Sequence, residues 1–197
     1  MKAGEIRKAA WGKLHGNWTT MVLITLIEIV ILSAVSFTFI GSLLIGGAIT
    51  LGVMACALGI SRSQKVEISD MFKGFNRFVE TLILYILYTV FVALWSILFI
   101  IPGIIAMIRY SMAYFILQDN PEMKGFDAIK ASCEMMKGHK MELFCLALSF
   151  IGWFLLGCIT FGIGFLWVIP YYRTAKAEFY EKIKSSNAVV VEEKQEN

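Results

Sequence analysis

Between Thr81 and Gln118 the chain reads TLILYILYTVFVALWSILFIIPGIIAMIRYSMAYFILQ, and its only charge is Arg109. A helix needs about 20 apolar residues to cross roughly 30 Å of hydrocarbon at 1.5 Å per residue. These 38 residues are too many for one crossing and enough for two. Pro102-Gly103 lies near the middle. Proline removes a backbone donor and glycine admits a turn, so the pair predicts a helix break between two antiparallel spans.

Two further stretches repeat the pattern. Gly16 to Ser61 carries one charge, Glu28, with Gly41-Ser42 and Gly46-Gly47 inside it. Leu143 to Tyr172 carries none, with Gly157 and Gly162-Ile163-Gly164 inside it. This third run is also compatible with one strongly tilted helix of about 45 Å. As a pair, its second helix has to continue past Pro170 toward Tyr180, with Arg173 and Lys176 snorkelling to the interface.

Composition agrees. Of 197 residues, 58% are hydrophobic and 17% charged, with a mean hydropathy of +0.70, against about 45–50% and 25% in soluble domains. The length bounds the chain to one domain or two. A net charge of +3 is too small to suggest a nucleic-acid partner. Cys56, Cys133, Cys145 and Cys158 show no C-x-x-C and are expected as buried structural thiols rather than a disulfide framework. Basic residues up to Lys13 imitate a signal peptide, but the apolar stretch behind them does not stop after a signal's hydrophobic core, so an uncleaved first span is expected.

Of the 18 Lys and Arg, 17 fall in four flanks: four before the first apolar run, four between the first and second, four between the second and third, and five after the third. Only Arg109 is left over. Cytoplasmic loops collect these residues, so the sequence predicts an all-α membrane bundle: six transmembrane helices in three hairpins, both termini cytoplasmic. The membrane domain covers 1–184, and 185–197 is expected as a disordered tail.

The segments between hairpins read as interfacial amphipathic helices, or as linkers packed under the bundle. Ile6, Ala10, Lys13 and Leu14 share one helical face. Phe72, Phe75, Phe78 and Val79 follow Ser69, and Ala128, Ile129, Ser132, Met135 and Met136 share another face behind Asn120-Pro121. Gly16, Gly74 and Gly138 mark three lead-ins at spacings of 58 and 64, a pattern of three related hairpins.

Arg109 and Glu28 stand out, because intramembrane charges usually face a bundle interior or water. Counted from Asp119 and from Trp18, both lie about 15 Å deep. They pair with each other or line a polar cavity on one reading. On the plainer one they form a structural ion pair, or Arg109 snorkels outward with Tyr110 and Ser111. Tyr85 and Tyr88, on a stripe with Val92 and Trp95, line a pocket or simply pack between helices. Gly41, Ala48, Gly52, Ala55 and Gly59 form a small-residue stripe suited to close helix packing or, less commonly, self-association. His15 and His139 have no metal-binding companions. No nucleophile or metal motif is visible, so no catalytic residue, metal or cofactor is assigned.

The stretch from Ile101-Pro102-Gly103 through Arg109-Tyr110-Ser111-Met112-Ala113, then Asp119-Asn120-Pro121, Met136-Lys137-Gly138-His139-Lys140, Phe150-Ile151-Gly152-Trp153 and Ile169-Pro170-Tyr171, resembles the bacterial integral-membrane family catalogued as domain of unknown function 975, over roughly Lys2 to Lys184. That family is similar in layout to the membrane domain of some glycerophosphodiester phosphodiesterases. The resemblance implies a multi-pass protein of the bacterial cytoplasmic membrane and brings no catalytic residues. The expected role is non-enzymatic: an accessory or protective protein that binds a membrane protein, peptide or lipid, with the bilayer as its constant partner and a homo-oligomer as a further one. The alternative is a small transporter or channel using Glu28 and Arg109.

Overall fold

The computed structural model describes residues 3–35, 39–98 and 100–195, with side chains except at 35, 39–44, 97–98, 100 and 187–195. Every regular element among them is helical. In chain order they are α1 (Ala3–Leu14), α2 (Trp18–Val35), α3 (Phe39–Ser61), a 3₁₀ segment (Ile68–Arg77), α4 (Phe78–Leu98), α5 (Ile100–Tyr110), α6 (Ala113–Asp119), α7 (Gly125–Met135), α8 (Lys140–Leu148), α9 (Ile151–Ile159) and α10 (Phe165–Gln195). The helical backbone of α10 continues past Ser185, where composition alone places the start of the tail.

Three stretches among the described residues are long and apolar enough to cross a membrane: Ile68–Ser96, Ile101–Asp119 and Lys140–Ile159. The α1–α2 pair, bent by 97°, makes a fourth, and Ile45–Ser61 is a shorter apolar helix. The six crossings predicted from the three runs are therefore matched only in part by helix length. The outer surface is that of a membrane protein. Val30, Leu94, Ile101, Leu155 and Ile159 all point away from the bundle, Ile159 with 73% of its surface exposed. A belt of this kind is stable where the surrounding solvent is hydrocarbon. Cys145 and Cys158 lie on such exposed positions and only Cys56 is fully buried, which corrects the expectation of buried thiols throughout.

The breakers act in three different ways. Gly162 (φ +91°) and Phe161 (φ +52°) form the α9–α10 turn where it was predicted. Pro102 and Gly103 sit in the first turn of α5, where proline loses only a donor that has no helical partner. A Cβ on Gly103 would lie 2.9 Å from Ser96 Cα, so this glycine lets α5 press against α4. Gly41, Ser42, Gly46 and Gly47 are not in a turn: all four lie in the helical backbone of α3, and the Ser42 side chain is outside the described residues. Gly46 and Gly47 are used for packing. A Cβ there would come within 3.3 Å and 3.0 Å of Tyr85, so the glycines seat the tyrosine of α4 against α3.

The small-residue stripe on α3 meets the 3₁₀ segment. A Cβ on Gly52 would fall 1.7 Å from Met71 O, and one on Gly74 2.0 Å from Ala48 O. The two backbones touch at reciprocal glycines. Ala55 is half-buried on the same helix, Gly59 faces Val66, and the Gly41 end of the stripe lies outside the described side chains. The 3₁₀ winding keeps the phenylalanines of the predicted face together. With three residues per turn, Met71 and Gly74 turn inward while Phe72 and Phe75 stay exposed; the Phe72, Phe75 and Phe78 rings stack at centroid spacings of 6.5 Å. In α1 and α7 the predicted faces are buried: Ile6, Ala10 and Leu14 in one, Ala128, Ile129 and Ser132 in the other. The lead-ins are packed into the bundle.

Gly52→Ala or Gly74→Ala drives a methyl into a carbonyl, and strain of this kind typically costs about 1–3 kcal/mol or more. Gly59→Ala meets a Val66 methyl at 3.0 Å, which a small shift relieves. Thermal unfolding in detergent is expected to show a marked drop for the first two and a small one for the third.

Candidate functional site

The span Ile101–Asp119 is interrupted at Ser111-Met112, between α5 and α6. A break in the helical ladder within hydrocarbon is tolerated only where the freed backbone groups find partners. Ser132 of α7 supplies them. Its buried hydroxyl donates to Arg109 O at 2.7 Å and accepts from Met112 N–H at 3.2 Å. The Ser149-Phe150 break between α8 and α9 is relieved in the same way, with Arg7 of α1 donating to Ser149 O at 2.8 Å. Arg77 caps the far end of α6, donating to Leu117 O and, at 2.8 Å, to Met123 O.

A chamber lies beside the first break. Ser111 and Tyr114 face Tyr85, Tyr88 and Thr89 of α4, Thr50 and Met54 of α3, and Lys176 of α10 around a cavity of about 290 Å³. Tyr88 packs against Tyr110 and Tyr114 at centroid distances of 6.3 Å and 6.1 Å. The structure thus brings together two of the predicted residues, Tyr85 and Tyr88, with Tyr110 supporting them from behind. The Tyr85–Trp95 stripe divides: Trp95 lines a separate groove with Pro102, Ile105 and Arg109.

Glu28 and Arg109 do not meet. Glu28 is 4% exposed, and Arg173 of α10 grips it with two parallel hydrogen bonds, one of 2.9 Å between Nη2 and Oε1 and one between Nη1 and Oε2. This is the forked geometry for which guanidinium and carboxylate are matched. Arg173, read from sequence as snorkelling to the interface, turns inward. Arg109 makes no side-chain hydrogen bond or ion pair with any described residue.

A second polar cluster ties four distant parts of the chain. Arg62, just after α3, donates to Asp119 Oδ2 at 2.6 Å and to Glu181 Oε1 at 2.7 Å. Asp119 Oδ2 also accepts from Tyr180 Oη at 3.0 Å and Lys184 Nζ at 2.5 Å. Beside it, Glu178 accepts from Ser61 Oγ at 2.8 Å and pairs with Lys13 at 3.5 Å. The hydrogen bond to Asp119 holds the Arg62 guanidinium still more firmly protonated than usual.

From sequence Lys176 reads as snorkelling to the interface, Ser111 as a neighbour of Arg109 and Ser132 as part of an amphipathic face; none of them, nor Tyr114, is assigned to a site. A signal was present: Tyr172, Lys176 and Tyr180 follow one another at four-residue spacing on one helix face. The break that sets Ser111 at the chamber wall leaves no mark in composition.

Comparison with protein families finds a match to the model described as "Protein of unknown function (DUF975)", over residues 1–108 and 97–187. Neither the curated proteins nor the solved structures give a match.

Removing one partner of a buried ion pair typically costs about 3–5 kcal/mol, whereas an apolar replacement of both is close to neutral. Glu28→Gln and Arg173→Met are each expected to lower the unfolding temperature strongly, with the double variant recovering most of the loss. Additive losses would show that the two groups do not depend on each other.

Proposed function

Because the chain belongs to the DUF975 family, whose description assigns no activity, we propose from its geometry that it is a six-crossing protein of the bacterial cytoplasmic membrane that binds a membrane-embedded partner and does not transform it. The architecture is supported by the Asp119 cluster. Lys13, Arg62, Asp119 and Lys184 all belong to or adjoin the basic flanks, and all lie within two adjoining sets of ion pairs. On this reading the chain leaves the membrane face that carries the cluster through α2 and returns by α3, leaves through α4 and returns by α5 and α6, then leaves through α8 and α9 and returns by α10. Three excursions that end where they began make an even number of crossings. The 97° corner lays α1 along the membrane face, with both termini on the cytoplasmic side, where basic residues also meet anionic lipid.

The observation that carries the binding role is the chamber. Its lining of tyrosine, serine and threonine hydroxyls with one ammonium suits a bound ligand, and among the described residues no carboxylate joins the lysine there as an acid–base partner. Polar groups at a helix interruption within a membrane bundle are a common setting for a bound guest. A lipid, a peptide or a segment of another membrane protein suits this site, in keeping with an accessory or protective role. The transport reading has less support: Glu28 is occupied by Arg173 and Arg109 lines a groove elsewhere, so the two residues do not share a path.

Native mass spectrometry of the full chain released from its own membrane is expected to show a ligand or partner held at fixed stoichiometry. A bare chain that lets ions or solutes through reconstituted liposomes would reverse the reading in favour of transport.

A further inference from the structure

We infer that the chamber seats a phosphate ester on Lys176, ringed by the hydroxyls of Tyr85, Tyr88 and Tyr114. This rests on the binding role proposed above and names the chemistry of its ligand. Lys176 lines the chamber and makes no ion pair or hydrogen bond with any described residue. Its ammonium lies over the face of Tyr172, 6.0 Å from the ring centroid. Arg173, the neighbouring cation on α10, has its charge taken up by Glu28, which leaves Lys176 as the charge available to a guest. The hydroxyls of Tyr85, Tyr88 and Tyr114 likewise donate to no described residue.

The lining is therefore rich in donors and carries one positive charge and no negative one. A cation in so apolar a setting needs a counter-charge. The shape of the donor set narrows the anion. A planar carboxylate is matched by the arginine fork, as at Glu28, whereas an ammonium with rotatable donors around it is a point charge that suits the corners of a tetrahedral oxyanion. At about 290 Å³ the chamber has room for many waters, more than a bare phosphate displaces, so the group arrives as an ester. Lys176 lies eight residues, about 12 Å along the helix, inward from Lys184 at the Asp119 cluster. An ester reaches it from the bilayer on a lipid or from water on a small soluble carrier.

Calorimetric titration of the delipidated full chain in maltoside detergent separates the sources, with phosphatidylglycerol as one probe and glycerol phosphate as the other. One equivalent is expected to bind. Saturation by the lipid alone assigns the site to a headgroup, and saturation by glycerol phosphate to a soluble ester. A hydrogen bond to a charged group is worth enough for Lys176→Gln to weaken binding by about 10-fold or more and Tyr114→Phe by about 3-fold or more, with Lys176→Arg retaining most of it. Without ligand, Lys176→Gln is expected to unfold no earlier than the native chain, since it removes an uncompensated charge; this keeps loss of binding apart from loss of fold. Equal binding by the native chain and Lys176→Gln, or no saturable binding of either probe, would overturn the inference. If the native chain still carries a stoichiometric guest that Lys176→Gln holds equally well, the phosphate assignment fails and the binding role stands. A bare chain removes both.

Discussion

Asp119 is the point on which this structure closes. One carboxylate oxygen accepts from Arg62, Tyr180 and Lys184, so the ends of α3 and α6 are held within a few ångströms of the middle of α10, with α1 joined through Lys13 and Glu178. Exposed ion pairs contribute little singly, but this carboxylate is largely buried and shares three donors. Its energetic weight matters less than its geometry. Helices in lipid gain nothing from burying apolar surface against one another, so polar ties and close backbone contact must set which ends are neighbours.

The rest of the bundle follows the same economy. Backbone groups freed at each bend are met by a side chain from a lead-in: Ser132 at the α5–α6 break, Arg7 at the α8–α9 break and Arg77 at the end of α6. The basic lead-in residues are thus helix caps as well as topology signals, since a cation beside terminal carbonyls also complements the helix dipole. Every side-chain polar atom among the described residues that is shut off from the surface has a partner, and the unpaired ammonium and hydroxyls of the tyrosine chamber face its cavity.

Much of this was legible in the sequence. The length and spacing of the uncharged runs identify an all-helical membrane protein, and the small residues of α3 mark where another backbone approaches. Tyr85 and Tyr88 were recognisable as inward-facing aromatics. Three features were hidden for physical reasons. Glycine pairs mean a turn in water but equally a close contact in lipid, so Gly46 and Gly47 seat Tyr85 instead of ending a helix. A 3₁₀ winding changes the period from 3.6 to 3, which sets Met71 and Gly74 on one inward line against α3. Depth counted along single helices places Glu28 and Arg109 at one level, but only the packing of α10 beside α2 puts Arg173 in contact with Glu28.

The central claim is that the chain makes three out-and-back excursions from the Asp119 cluster, and side-specific labelling of single cysteines tests it most directly. On a background with the four native cysteines replaced, Lys65→Cys, Glu122→Cys and Lys182→Cys are predicted to react from one face of the membrane. Phe161→Cys, at the α9–α10 turn with 98% of its surface exposed, is predicted to react only from the other. Labelling of any of the first three from the same face as position 161 would contradict the account.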